Sequence, residues 1–159
     1  MSYHNGSIWP HDNALIGLGL ARYGLTQGLQ QLFFGLFDCA AYMDLRRLPE
    51  LFCGFQRTRG KGPTFYPVSC SPQAWSSATP FAWLQACLGL ELDFAAGSVR
   101  FRQPRLPPFL DQVIIRSLAV GTSRLDVLLR RYGADVSVNV LRADGDARVE
   151  VILRGAKCD

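Results

Sequence analysis

The chain has 159 residues, of which 48% are hydrophobic and 19% charged, so its length suits one ordinary domain able to bury a core. Its net charge is +4, but the two local basic clusters, residues 46–47 and 57–61, lack interleaved aromatics and nucleic-acid-binding motifs, which argues against a nucleic acid partner. No apolar run approaches the ~20 residues of a membrane helix, and no export signal is expected. We therefore expect no membrane partner.

Cysteine and histidine usage indicates the compartment and the absence of a metal. The five cysteines are Cys39, Cys53, Cys70, Cys87 and Cys158. They are odd in number and include no C-x-x-C pair, which predicts free thiols in a reducing, cytoplasmic compartment and argues against a disulfide framework. His4 and His11 have no Cys or carboxylate partner at metal-ligand spacing. We expect neither a metal nor a cofactor.

Residues 3–14 read Tyr-His-Asn-Gly-Ser-Ile-Trp-Pro-His-Asp-Asn-Ala. Gly6 and Pro10 exclude one continuous helix, and Asp12 or Asn13 can cap the helix that follows. An exposed Trp beside Asp, Asn and His suits a sugar, because the ring covers an apolar sugar face while amides and carboxylates bond the hydroxyls. The alternative is an N-terminal loop whose Trp packs on a neighbour.

Two helices are predicted next, at residues 12–23 and 26–47. Their apolar side chains recur at helical spacing, and Gly24 marks the stop between them. Gly17 and Gly19 weaken the propensity of the first helix, which predicts close packing against a neighbour. Two helices joined by a short turn form an αα-hairpin.

Residues 48–70 contain six Gly and Pro residues and predict a loop, longer than the ~12–15 residues beyond which loops are usually functional or disordered. Its aromatic side chains favour a functional loop. Ser71 and Pro72 predict the N-cap and first position of a helix that runs to about residue 88. Pro80 is expected to kink this helix or to end its first half.

After Leu90 the apolar period changes from helical to two. Residues 90–94 and 99–102 predict a hairpin, and further strands are predicted at 112–120, 124–130, 136–141 and 148–153. Alternation of apolar and polar side chains at 136–140 requires one half-buried face. The sequence therefore predicts a C-terminal β segment.

Three segments in this order carry a resemblance to a known family. They are residues 3–14, residues 48–55 (Leu-Pro-Glu-Leu-Phe-Cys-Gly-Phe) and residues 66–75 (Tyr-Pro-Val-Ser-Cys-Ser-Pro-Gln-Ala-Trp). Together they resemble the amylo-α-1,6-glucosidase, or glycogen-debranching-like, glycoside hydrolases. The resemblance covers residues 3 to about 90 and continues more weakly through 102–107.

This resemblance implies an (α/α)6 six-hairpin barrel. The expected fold class is therefore mainly α, with residues 1–89 as the C-terminal portion of the barrel and residues 90–159 as an antiparallel β segment. Twelve helices of about 11–12 residues each need a longer chain. We therefore expect this chain to be the C-terminal part of a larger enzyme.

Glycoside hydrolysis needs two carboxyl groups. The resemblance implies that Glu50 is the general base of an inverting mechanism; the alternative is a surface loop glutamate. The family's general acid lies in an earlier motif that this sequence lacks. The only other acidic residues near the motifs are Asp12, Asp38 and Asp44. A sugar-bonding or capping role explains Asp12, and a solvated helix face explains the other two.

By resemblance, Trp9 stacks on a glucosyl ring while His11 and Asn13 bond its hydroxyls, with core or capping roles as alternatives. The predicted substrate-binding residues are Tyr3, Asn5, Trp9, His11, Asp12, Asn13, Gln73 and Trp75. For Trp75 a core position is an equal alternative. Cys53 and Cys70 lie inside the motifs and are interpreted as packing residues.

The predicted function is that of the C-terminal part of an inverting glycoside hydrolase acting on α-glucosidic bonds. Its substrate would be an α-glucan or oligosaccharide, and its partner the upstream part of the same barrel, which would supply the missing acid. Whether the isolated chain is an enzyme is left open. The alternatives are a non-catalytic carbohydrate-binding or scaffold fragment and a decayed gene fragment. Apolar helix faces such as residues 32–37, left without neighbours, predict self-association.

Overall fold

The computed structural model describes residues 2–153, in which helix and strand occupy similar lengths of chain. The helices are α1 (Pro10–Arg22), α2 (Thr26–Ala40) and α3 (Ala74–Leu88), with a 3-10 turn at Asp44–Arg46. The strands are β1 (Ser7–Ile8), β2 (Phe52–Cys53), β3 (Leu90–Asp93), β4 (Ser98–Arg102), β5 (Gln112–Val120), β6 (Ser123–Tyr132), β7 (Asp135–Asp144) and β8 (Arg148–Ile152).

This is an α+β fold, so the prediction of a mainly α fold is wrong. Three helices, in the part of the chain that is described, do not make a six-hairpin barrel. The helical periodicity was read correctly as local structure, but periodicity does not report how helices assemble.

The strands form three sheets, in the orders β1-β2, β3-β4-β8 and β5-β6-β7. All pairs are antiparallel except β4 with β8, which run parallel in the register Ser98↔Arg148 to Arg102↔Ile152. The expectation of a purely antiparallel C-terminal segment is therefore wrong at β8. The strands predicted at 136–141 and 148–153 correspond to β7 and β8.

The chain divides into two compact units, Met1–Leu84 and Gln85–Asp159. We refer to them as the N-terminal and C-terminal units. The predicted domain boundary between residues 89 and 90 stays a prediction.

The αα-hairpin of α1 and α2 ends its first helix at a glycine. Gly24 has φ +71, and its N–H bonds the Ala21 carbonyl while the Leu25 N–H bonds the Leu20 carbonyl. This pair of bonds is a Schellman motif, which needs the left-handed conformation that glycine adopts without cost. The predicted stop is confirmed.

Close packing of α1 is confirmed at one of its two glycines. A Cβ on Gly17 would lie 3.1 Å from Trp83 and 3.3 Å from Leu29, whereas nothing lies within 4 Å of a Cβ on Gly19. Trp83 is fully buried and its ring lies 5.7 Å from that of Phe33. Because Gly17 has no side chain, α1 can pack closely against Trp83 and Leu29 in the core of the N-terminal unit.

Three helix boundaries differ from prediction. Helix α2 ends at Ala40 rather than at residue 47, and the predicted remainder contains left-handed conformations at Leu45 (φ 53) and Arg46 (φ 57), which a helix cannot include. Helix α1 begins at Pro10 with Trp9 as N-cap, so neither predicted cap holds that position. Helix α3 begins at Ala74 and continues past Pro80, which does not end it.

Helix α2 buries Phe33 and Leu36 but leaves Phe37 47% exposed. On α1, Leu15 and Ile16 are 63% and 55% exposed. The expectation that the face at residues 32–37 lacks neighbours is therefore wrong for Phe33 and Leu36, and the predicted self-association stays a prediction.

The C-terminal unit is built on strand alternation. On β6, Leu125, Val127 and Leu129 are almost fully buried while neighbouring positions are open. A register shift between Ile115 and Leu118 interrupts the pairing of β5 with β6, and the Ser117 N–H there donates to Asp126 Oδ1 at 2.7 Å. The sheet therefore buries one face and solvates the other.

No helix among residues 2–153 is long and apolar enough to cross a membrane. Cys39, Cys53, Cys70 and Cys87 carry free thiols. Cys158 lies outside the described residues, as does the end of the predicted β segment.

Candidate functional site

The first and second motifs meet as a two-stranded sheet. Strand β1 pairs with β2 in the register Ser7↔Cys53 and Ile8↔Phe52, and the Gly54 N–H donates to the Gly6 carbonyl at 2.8 Å. A Cβ on Gly54 would lie 2.4 Å from that same carbonyl oxygen. Only glycine fits so close an approach, so this pairing depends on a side-chain-free position.

The second and third motifs are joined around Glu50. Its N–H donates to the Cys70 carbonyl at 2.8 Å, and its Oε2 accepts the Cys70 N–H at 3.2 Å. The Gln73 N–H donates to the Leu48 carbonyl at 3.3 Å. The three motifs, up to 72 positions apart along the chain, therefore form one local structure in the N-terminal unit.

Six ring side chains surround this junction, and we call them the aromatic cluster. They are Tyr3, His4, Trp9, His11, Tyr66 and Trp75. Tyr3 meets Trp9 and Tyr66 edge-on at centroid distances of 5.2 and 5.5 Å, which is a favoured arrangement for aromatic pairs. Trp9 also stacks on His4, at 5.7 Å. The indole of Trp9 is therefore in contact with several other rings of the cluster.

Trp75 differs from Trp9 because one of its faces is open. It stacks on His11 with centroids 4.2 Å apart and planes 18° apart, yet its side chain remains 64% exposed. His11 is only 5% exposed and covers the inner face of the indole. The core alternative for Trp75 does not describe this position.

Glu50 is held as a carboxylate. A hydrogen bond from the Tyr3 hydroxyl is the main cause of its lowered pKa, aided by the Cys70 N–H and, more weakly, by the charge of His11, against an opposing desolvation effect. The same hydrogen bond raises the pKa of Tyr3 to about 12. Glu50 is half-buried. A partly exposed, ionised acceptor therefore lies beside the rings.

A buried hydrogen-bonded set lies under the cluster. His11 Nδ1 and Ser76 Oγ are 3.0 Å apart, and Ser76 Oγ donates toward Gln73 Oε1, also at 3.0 Å. Ser76 is fully buried. Ser76 was missed in the sequence, although it follows Gln73 by three positions, which is the spacing of one helical turn.

The remaining predicted residues lie elsewhere. Asn5 is exposed and bonds Ser2 through its backbone. Asp12 and Asn13 line a separate cleft of about 740 Å³ between α2 and residues 52–64, which Trp9 also lines. Asn13 Nδ2 donates to the Trp9 carbonyl at 2.8 Å. The structure thus places some of the predicted substrate residues in the aromatic cluster, Gln73 beneath it, Asp12 and Asn13 in this cleft, and Asn5 in neither.

The acidic residues considered as a partner for Glu50 are not placed with it. Asp12 is exposed in the cleft, Asp38 pairs with Arg57 there, and Asp44 is exposed in the 3-10 turn. The groups that shift the pKa of Glu50 include no other carboxyl group. Within residues 2–153, no group of three or more His, Cys, Asp or Glu side chains could hold a metal ion.

No protein-family model matches this chain, and no curated protein matches it either. Together with the α+β fold, this overturns the assignment to the debranching-type glycoside hydrolases. Short motifs of aromatic and polar residues can share residue types with a family without sharing its fold. The geometry of the site therefore has to carry any functional conclusion.

Proposed function

We propose that the N-terminal unit binds a carbohydrate on the aromatic cluster. The open face of Trp75 would stack on the apolar face of a sugar ring, and the Glu50 carboxylate would accept hydrogen bonds from sugar hydroxyls. The supporting observation is the 64% exposed indole whose inner face is stacked on a buried imidazole. An exposed aromatic face that cannot collapse into the core is a ready stacking surface.

Charge supports the same ligand class. Glu50 is ionised at neutral pH, as an ordinary glutamate is, and its hydrogen bonds lower its pKa further; an ionised carboxylate only accepts hydrogen bonds. Sugar hydroxyls are donors that match it. An α-glucan oligosaccharide is the proposed ligand, because a succession of glucosyl rings offers repeated apolar faces and hydroxyl rims.

The test is titration calorimetry with a maltooligosaccharide. Trp75→Ala should weaken binding by about 1–3 kcal/mol, the usual contribution of an aromatic stacking contact. Phe81→Ala is the matched control, since Phe81 lies on the same helix and is 76% exposed but has no place in the cluster. Equal affinities for the wild type and Trp75→Ala would remove the proposed stacking contact.

Trp9→Ala tests the other predicted platform. Trp9 contacts Tyr3, His4 and His11, so its loss should disturb the cluster as well as any sugar contact. We expect a similar loss of about 1–3 kcal/mol in binding, accompanied by lower thermal stability. Unchanged affinity in a folded variant would leave Trp9 with a purely structural role.

Hydrolysis of α-glucosidic bonds is the second candidate. Glu50 is deprotonated, as a general base must be, but its lowered pKa makes it a weaker proton acceptor than an ordinary glutamate. Inverting hydrolysis also needs a proton donor about 6.5–9.5 Å from the base. Binding without turnover is therefore the function that the described residues support best.

Release of glucose from α-1,4- or α-1,6-linked oligosaccharides would separate the two candidates. If turnover occurs, Glu50→Gln should abolish most of it while keeping the shape of the side chain. Absence of turnover together with measurable binding would support the carbohydrate-binding function alone.

A cytoplasmic location is part of this proposal. Four cysteines of the described chain carry free thiols, and free thiols are typical of reducing compartments. Fractionation of cells that express the tagged chain would test it.

A further inference from the structure

The aromatic cluster pairs a buried ring, His11, with an exposed ring, Trp75. His11 is 5% exposed and lies directly beneath the 64% exposed Trp75. A tryptophan at the first turn of a helix can adopt several rotamers, and each points its indole differently. The stacked imidazole selects one of them.

The orientation of His11 is itself fixed by Ser76 and Gln73. Ser76 Oγ has a single proton and lies 3.0 Å from Gln73 Oε1 and 3.4 Å from the Glu50 carbonyl oxygen. Both oxygens only accept hydrogen bonds, so the hydroxyl proton is directed to one of them. In this arrangement the Ser76 oxygen accepts from His11 Nδ1 across 3.0 Å, which requires the tautomer with a proton on Nδ1. This chain of donors and acceptors fixes the plane of the imidazole.

We propose that His11 is a positioning residue for carbohydrate binding: held by Ser76 and Gln73, it keeps the indole of Trp75 in the orientation that stacks on a sugar ring. The identity of the ligand in this inference rests on the proposed function, whereas the orientation of Trp75 by His11 does not. It assigns roles to Ser76 and Gln73 that differ from direct sugar contact. It also makes the imidazole a device for preorganisation, which improves affinity by removing the cost of ordering a side chain on binding.

Two substitutions separate the two contacts of His11. In His11→Asn the amide nitrogen can replace Nδ1 as the donor to Ser76, but the ring under Trp75 is lost. In His11→Phe a ring is kept, but the donor is lost. Ser76→Ala removes the acceptor, and Ser77→Ala is the matched control, since Ser77 Oγ bonds the Leu48 carbonyl at 3.4 Å and not His11.

The first measurement needs no ligand. Indole N–H signals of nitrogen-15-labelled protein are assigned by Trp75→Phe, and the sharpness and shift of the Trp75 signal report whether its ring is fixed. We expect a single sharp signal in the wild type and Ser77→Ala, and an averaged, shifted signal in His11→Asn and Ser76→Ala. A Trp75 signal that is unchanged in folded His11→Asn and Ser76→Ala would overturn the inference.

The second measurement is the affinity for maltotriose. His11→Asn and Ser76→Ala should bind roughly 2- to 12-fold more weakly, the factor that corresponds to immobilising one further side chain on binding. His11→Phe should recover part of this affinity, a rescue that loss of folding would not produce. Equal affinities for all folded variants would also overturn the inference.

The two measurements distinguish failure of the proposed function from failure of the positioning role of His11. If maltotriose does not bind the wild type while the Trp75 signal changes as expected, the proposed function fails and the positioning of Trp75 by His11 remains. If maltotriose binds the wild type and all variants alike, the proposed function holds and His11 has no positioning role.

Discussion

A buried polar set in the N-terminal unit contrasts with an exposed row of charges in the C-terminal unit. His11 and Ser76 are buried and bonded to each other although they are 65 residues apart. The charged row lies on the β3-β4-β8 sheet, where each side chain pairs with one on the adjacent strand. Arg100 is directly opposite Glu91 on β3 and Glu150 on β8, and bonds both.

This difference has a physical meaning. Burying a polar group is costly unless every hydrogen bond is made, so a buried network fixes one arrangement of its side chains. A surface row of charges contributes little to the free energy of unfolding, so substitutions there have small effects on stability. The N-terminal unit therefore has the features of a binding site, whereas the polar groups of the C-terminal unit have the features of a solvated sheet face.

The largest expected effect is at the core of the N-terminal unit. Trp83 is fully buried beside Gly17 and Phe33, so Trp83→Ala should lower the free energy of unfolding by about 3–5 kcal/mol. The Trp83 Nε1 has no hydrogen-bond partner in the described structure. Trp83→Phe should therefore cost clearly less, because it removes an unbonded donor. Urea unfolding measures both, and equal losses in the two variants would contradict this view of the core.

The next effect concerns the junction of the motifs. Gly54→Ala would place a methyl group 2.4 Å from the Gly6 carbonyl oxygen, and overpacking of this kind costs about 1–3 kcal/mol. Gly19→Ala is the matched control, because nothing lies within 4 Å of its Cβ and alanine in a helix is favoured by about 0.5–1 kcal/mol. Gly54→Ala should lower the melting temperature, whereas Gly19→Ala should raise it. If both substitutions lowered the melting temperature, the close approach at Gly54 would not be the specific cause of the lost stability.

The Tyr3–Glu50 hydrogen bond predicts a pH dependence at both ends of the scale. The pKa of Glu50 is lowered in the folded state, so its contribution is present above its ordinary value of 4.5 and is lost as the pH falls through the folded value. The pKa of Tyr3 is raised from 10.0 to about 12, so its contribution is present below pH 10.0 and is lost between there and about 12. Both directions come from one bond.

Tyr3→Phe tests this bond through melting temperatures measured across the pH range. Its destabilisation relative to the wild type should be greatest near neutral pH and should shrink toward both extremes. Tyr132→Phe, at an 83% exposed position of the C-terminal unit, is the control and should show no such profile. A flat difference for Tyr3→Phe would contradict the bond.

The smallest effect is expected on the charged row of the C-terminal unit. Glu91 accepts from Arg102 Nε at 3.0 Å and from Arg100 Nη1 at 3.4 Å, and its side chain is 48% exposed. Glu91→Gln should change the free energy of unfolding by only about 0–1 kcal/mol, and the change should shrink in 1 M salt. A loss above that range, insensitive to salt, would remove the contrast between the two units.

Much of the local structure could be predicted from the sequence. Helical spacing in α1 and α2, Gly24 between them, and the change to a period of two near Leu90 all act over a few neighbouring residues. Such patterns depend on local sterics and on one buried face, so they survive in any tertiary context. Residues 41–47 show the limit: they continue the helical pattern, yet the chain leaves the helix at Ala40 and adopts left-handed conformations at Leu45 and Arg46, for which the local residue types give no signal.

The candidate site shows a sharper division. Residue types alone nominated Trp9, beside Asp, Asn and His, as suited to a sugar, whereas Glu50 was assigned through the resemblance to a family that the fold overturns. Only the tertiary structure decided that Glu50 meets Tyr3, that Asp12 and Asn13 face a separate cleft, and that His11 lies under an open indole. The fold class was decided there too, because local periodicity states which segments are helix or strand but not how many partners each one finds. Contacts between residues 65 positions apart arise from packing, and the local sequence contains no record of it.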